Sequence, residues 1–167
     1  MKYTSAQANK LLIQLQEDRD ELLNMENQSR TFIAATTEDL ETARPVYSYE
    51  QTRERLDEIE RKIRQIKHSI SRFNLTHEVE DFGMTADQLL VYIPQLKQKK
   101  SKLGRMARRL PKTRQAPSNR SNIIEYEYAN YDIEQVKTDY LAACDELTRA
   151  QLALETLNTT ETMEIDI

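Results

Sequence analysis

Four scarcities narrow what this chain can be. It has a single cysteine, Cys144, which rules out a disulfide within the chain and fits a reducing compartment. Its two glycines, Gly83 and Gly104, are too few and too scattered for a phosphate-cradling loop or a dinucleotide fingerprint. Four prolines and no tryptophan among 167 residues, with 31% of them charged, argue against a β-rich secreted domain and for a helical one. No apolar run exceeds five residues, the length of residues 89–93, against the roughly 20 that a membrane-spanning helix needs. The opening Met1-Lys2-Tyr3-Thr4-Ser5 leads into a polar stretch rather than the apolar core of a signal peptide. The expectation is a cytoplasmic protein without a transmembrane segment, although export without a leader leaves no such mark.

What the chain does have is periodicity. Leu56, Ile59, Ile63, Ile66, Ile70 and Phe73 follow one another at spacings of 3, 4, 3, 4 and 3, which keeps one seam of an α-helix against a partner. This seam predicts a helix over 48–74, opened by Ser48 and Gln51 at capping-box spacing. Asp57/Arg61, Glu58/Lys62 and Glu60/Arg64 add acid-to-base pairs four residues apart on its flank. An earlier helix is predicted over 5–29 from Ala8, Leu11, Leu15, Leu22 and Met25, with Asp18 and Arg19 interrupting its face.

A third helix is predicted over 85–110, with Thr85 and Gln88 as a capping box and Leu89, Ile93, Leu96, Leu103, Met106 and Leu110 on its face. Pro94 predicts a kink rather than a stop, because the periodicity continues beyond it. The fourth helix is predicted over 130–158 on a ladder of Ile133, Val136, Tyr140, Ala143, Leu147, Ala150, Leu154 and Leu157. Each helix is about 25 residues, or roughly 38 Å at 1.5 Å per residue. Matched lengths are what a bundle needs, since an overhanging seam would face water. The expected fold class is therefore all-α: one domain over 1–167, an antiparallel four-helix bundle or a set of long helical hairpins with coiled-coil-like seams.

The connections carry weaker signals. Phe32 to Ala35 form an apolar run, Ile124, Tyr126 and Tyr128 alternate with glutamates, and Met163, Ile165 and Ile167 alternate in a tail over 159–167. Residues 31–36, 123–128 and 162–167 are thus candidates for short strands. Residues 111–122 have the Pro, Ser, Asn and Arg content of an exposed, mobile loop.

The sharpest functional candidate is a basic segment. Residues 88–124 contain no acid and ten bases: Lys97, Lys99, Lys100, Lys102, Arg105, Arg108, Arg109, Lys112, Arg114 and Arg120. With a net charge of −4 overall, everything outside this segment sums to −14. Such a run is a footprint for phosphate backbones or anionic surfaces. The blander explanation is packing, in which the acidic first and last helices neutralise a basic third helix within the bundle or across an oligomer interface. No aromatic residue follows Tyr92 inside the run, which counts against single-strand stacking.

Other residues point more weakly to chemistry. His68 falls opposite the seam of its helix, and His77 lies near Glu78, Glu80 and Asp81 in a spacing unlike an EF-hand. Cys144 sits beside the last seam with no histidine near it in sequence, so it reads as a packing residue. No helix has the Glu-x-x-His pattern of di-iron bundles, and no carboxylate pair stands out as an acid–base couple. Neither catalysis nor a cofactor is expected. Tyr126, Tyr128 and Tyr131 form an interface candidate, the alternative being that they cover the bundle end.

Arg72-Phe73-Asn74 at a helix end, Gly83-Met84-Thr85 restarting before Leu89, and Tyr131-Asp132-Ile133 entering the last helix have a familiar layout. In it the chain resembles the uncharacterised bacterial proteins labelled septicolysin-like. The resemblance implies an all-helical, self-associating protein, and the family label suggests a pore-forming cytolysin. The leading expectation is a non-enzymatic structural or interaction protein that forms a homo-oligomer or binds another protein. A nucleic-acid or anionic-surface binder acting through residues 97–120 is the first alternative, and a membrane-active pore former the second.

Overall fold

Each of the three longer seams buries one stripe at helical spacing. Thr52, Ile59, Ile63, Ile66 and Phe73 are the buried residues of one helix, Ala86, Leu89, Ile93, Leu96 and Gly104 of another, and Val136, Ala143, Leu147, Ala150 and Leu154 of the last. The structure, a computed structural model, describes residues 1–115 and 124–167. The described residues are mostly helical, with three small antiparallel strand pairs. None of the described helices is long and apolar enough to cross a membrane. The chain divides into two compact units, Met1–Thr76 with Leu157–Ile167, and His77–Thr156.

In the first unit, strand β1 (Lys2–Thr4) runs straight into helix α1 (Ser5–Ser29). Thr4 caps that helix reciprocally with Gln7, each side chain bonding the other's backbone N–H. A short helix, α2 (Leu40–Ala43), interrupts the connection to α3 (Tyr49–Thr76). Asp39 starts it by accepting from the Glu41 N–H and the Thr42 hydroxyl, and these bonds hold its carboxyl below the usual range. Helices α1 and α3 are antiparallel. Ala8 clusters with Ile66 and Phe73 at one end, and Leu22 with Ile59 and Ile63 at the other. Burying such Ile, Leu and Phe side chains stabilises by about 1.5–3 kcal/mol each.

The tail strand β6 (Thr162–Glu164) pairs with β1, Lys2 opposite Glu164 and Thr4 opposite Thr162. The Met1 ammonium donates to the Ile165 carbonyl at 2.9 Å, and Met163 and Ile165 complete the cluster around Phe73.

The second unit begins with a turn. Strands β2 (Glu78–Val79) and β3 (Met84–Thr85) pair around a 3-10 turn at Glu80–Phe82, closed by Gly83 in the left-handed region at φ 57°. Thr85 and Gln88 form the capping box of helix α4 (Ala86–Ala107), which continues through Pro94. Helix α5 (Ile133–Thr160) follows, its residues up to Thr156 belonging to this unit and its last turn to the first. The Tyr92 hydroxyl donates to Glu146, and the Tyr131 hydroxyl to the Met106 carbonyl, so α4 and α5 run antiparallel. Between them lies a ribbon of β4 (Lys112–Arg114) and β5 (Tyr126–Tyr128).

Several expectations give way here. The third helix ends at Ala107, three residues short of 110, because the chain turns towards Pro111 and enters β4; Leu110 is 64% exposed. Residues 112–114, expected in a loop, are a strand because β5 supplies their partner. Residues 31–36 form no strand: they have no ladder partner among the described residues, and Ile33 is 99% exposed. Met25 is also exposed, past the last apolar contact of α1. Of the three flank pairs on α3, Lys62–Glu58 closes at 3.0 Å and Arg64–Glu60 at 3.9 Å, whereas Arg61 turns from Asp57 to Gln65. Residues 116–123, with Arg120 and most of the loop expected at 111–122, lie outside the described residues.

Candidate functional site

Helix α4 must bury one stripe and can place cations anywhere else. Lys97, Lys100, Arg105 and Arg108 border a groove of about 410 Å³ whose remaining lining is Ser101, Gly104, Tyr140 and Leu147. At Gly104 the lack of a side chain lets the Tyr140 ring come close, since a Cβ there would stand 3.0 Å from it. Lys99, Lys102 and Arg105 border a second, shallower recess on α4 with Gln95, Gln98 and Ser101. Arg108 also borders a third recess that continues past Arg109 and Pro111 to Tyr131.

Electrostatically this face is one-sided. Among the described residues of the second unit, Lys97, Lys99, Lys100, Lys102, Arg105, Arg108, Lys112 and Arg114 have no carboxylate in ion-pair range; Arg109, paired with Glu127, does. Three acids of α5 have partners of their own: Glu134 meets Lys137 at 2.7 Å, Asp139 accepts from Gln135, and Glu146 accepts from Tyr92.

The ribbon adds aromatic rings to the basic run, which linear spacing hid. Register sets Lys112 opposite Tyr128 and Arg114 opposite Tyr126, so the pleat puts all four on one face. Thr113 and Glu127 share the other face, where Glu127 meets Arg109 of the chain leaving α4 and accepts from Gln115. The Lys112 ammonium lies 3.9 Å from the Tyr126 ring centre and 5.4 Å from that of Tyr128. Tyr126 and Tyr128 are 42% and 62% exposed, with ring centres 6.4 Å apart. Tyr131, the third tyrosine of the expected interface, is half-buried and committed to Met106. The one signal for this juxtaposition was the alternation of Ile124, Tyr126 and Tyr128; the partner strand gave none.

The remaining candidates lie elsewhere. Leu56, Ile70, Ile133, Tyr140 and Leu157 are half-buried beside the buried Ile59, Ile63, Ile66, Phe73, Val136, Leu147 and Leu154. His68 is exposed on α3, Cys144 is half-buried and free, and no group of metal-ligating side chains occurs among the described residues.

No protein-family model and no curated protein matches the chain. A crystal structure of a functionally unknown conserved protein from Corynebacterium diphtheriae is similar to it, with a TM-score of 0.61. The match covers 98% of this chain and 100% of that one at 20% sequence identity, and so speaks for a shared fold.

Proposed function

We propose that this is a non-enzymatic interaction protein of the cytoplasm that binds phosphate-rich polyanions along α4 and the β4–β5 ribbon. The observation that supports this reading is the set of eight cations without an ion-pair partner among the described residues of their unit. A cation held near others of like sign on a half-exposed helix gains when an anion replaces released counterions. The groove beside Gly104 offers such an anion four cations and the Ser101 hydroxyl. A charge-reversal series at Lys97, Lys100 and Arg105, read by binding of inorganic polyphosphate at several salt concentrations, tests the proposal. The expected result is loss of binding with an unchanged helical circular dichroism spectrum. Salt-insensitive binding, or full binding by the reversed variants, overturns it.

Self-association is the second reading, and exposed leucines favour it. Leu141 and Leu152 of α5 are 66% and 57% exposed and stand three helical turns apart on one side of the helix. In this reading, copies of the helical hairpins assemble into the bundle, in keeping with the septicolysin-like resemblance. A pore-forming role finds no support in the described helices, whose apolar stripes are narrow and whose backs are charged.

A further inference from the structure

The β4–β5 ribbon says which polyanion suits this face. Inorganic polyphosphate, anionic lipid and duplex nucleic acid all satisfy cations, but none offers unpaired aromatic rings. Single-stranded nucleic acid does. Its recognition combines cations that follow the phosphates with exposed aromatic side chains on which successive bases stack.

The ribbon carries both on one face. Tyr126 and Tyr128 stand two residues apart on one strand, so they follow one another as neighbouring bases do along an extended strand. Lys112 and Arg114 face them across the ladder. On the opposite face Glu127 is paired with Arg109, although both faces of the ribbon are exposed. The rings and cations of the ribbon thus share the face that holds no ion pair among the described residues. Both rings remain exposed even with the Lys112 ammonium between them, and that ammonium can move from ring face to phosphate without breaking an ion pair.

We infer that the tyrosine-bearing face of this ribbon is a stacking platform for single-stranded nucleic acid, with the cations of α4 holding the continuing phosphate backbone. This inference rests on the polyanion reading above. The absence of aromatic residues within the basic run is answered by chain folding: β5 returns two rings to the end of it.

The test uses the full chain and a fluorescein-labelled 15-nucleotide oligothymidylate, followed by anisotropy in low salt. Inorganic polyphosphate of equal charge, a 15-base-pair duplex and phosphatidylserine vesicles serve as competitors. Two double variants are compared, Tyr126→Leu with Tyr128→Leu, and Tyr126→Phe with Tyr128→Phe. The expected result is that the leucine pair weakens oligothymidylate binding at least about tenfold, as loss of stacking on two bases implies. It should leave polyphosphate binding unchanged, and the phenylalanine pair should bind like the unaltered chain.

Competition by polyphosphate, duplex or vesicles equal to that of unlabelled oligothymidylate overturns the platform and leaves polyanion binding standing. So does a leucine pair that binds oligothymidylate normally, or one that loses polyphosphate as well. Failure to bind either oligothymidylate or polyphosphate removes both readings.

Discussion

At the scale of single residues, Tyr92 makes a polar contact that joins distant parts of the second unit. Its hydroxyl donates to Glu146 Oε1 at 2.6 Å, joining α4 to α5 across 54 residues of sequence. The carboxylate that accepts this bond, helped by desolvation, raises the phenol above its ordinary value of 10.0. A raised folded pKa means the neutral phenol is favoured by folding. Its contribution is therefore complete below pH 10.0 and is lost as pH climbs through the raised value. Tyr92→Phe is expected to cost about 1–2 kcal/mol in urea denaturation at neutral pH. The difference between the two proteins should shrink at strongly alkaline pH, where the unaltered chain loses the bond as well. A constant difference across that range would assign the effect to packing instead. The same pairing recurs in the first unit, where the Tyr47 hydroxyl donates to Glu26 at 2.6 Å and is likewise raised. Neither contact is legible in the sequence, because a tyrosine on a helix flank meets its acid only after two helices have been laid side by side.

At the scale of elements, what could be read was what is local. The stripe of α3 lies within one helix, so Ile59, Ile63, Ile66 and Phe73 announce it by spacing alone. The capping box of α4 is equally local, since Thr85 and Gln88 are three residues apart. What escaped was pairing at a distance. The tail's alternation was visible, but its partner is Lys2–Thr4, at the other end of the chain and too short to carry a pattern. The basic run and the tyrosines could each be seen, yet only strand register puts Lys112 beside Tyr128. Gly104 belongs to the same category: within a helix it reads as a weak point, and its use appears only when Tyr140 is found over it. An exposed helical glycine gains about 1 kcal/mol on replacement by alanine. Here the new Cβ would stand 3.0 Å from the ring, so Gly104→Ala is expected to recover less than that. Gly104→Ile should destabilise by about 1–3 kcal/mol through overpacking and should narrow the cationic groove. Thermal unfolding measures the first effect and polyphosphate titration the second. A stabilised isoleucine variant would mean that Tyr140 swings aside freely and that α4 and α5 do not meet at Gly104.

At the scale of the whole molecule, charge and grease suggest two different kinds of association. The chain carries −4 overall, but residues 88–124 hold +10 of charge and everything else −14. Copies could pair by laying this basic segment against acidic helices, and such pairing would compete with polyanions for the same side chains. Copies could instead join through the exposed leucines of α5, leaving the basic face free. Salt separates the two, because the screening length falls from about 10 Å at 0.1 M to about 3 Å at 1 M ionic strength. Apolar association survives that change, and charge pairing does not. Since Leu141 and Leu152 stand on one side of α5, and the cations of α4 lack ion-pair partners among the described residues of their unit, the apolar route fits both observations at once. Light scattering on the full chain should then show an oligomer whose mass is the same at 0.1 M and 1 M salt. Leu141→Lys with Leu152→Lys should reduce it to monomer while the helical signal and polyphosphate binding persist. An oligomer that dissolves in high salt or on adding polyphosphate would place the basic face inside the interface, and a monomer at every concentration would remove self-association from this protein's repertoire.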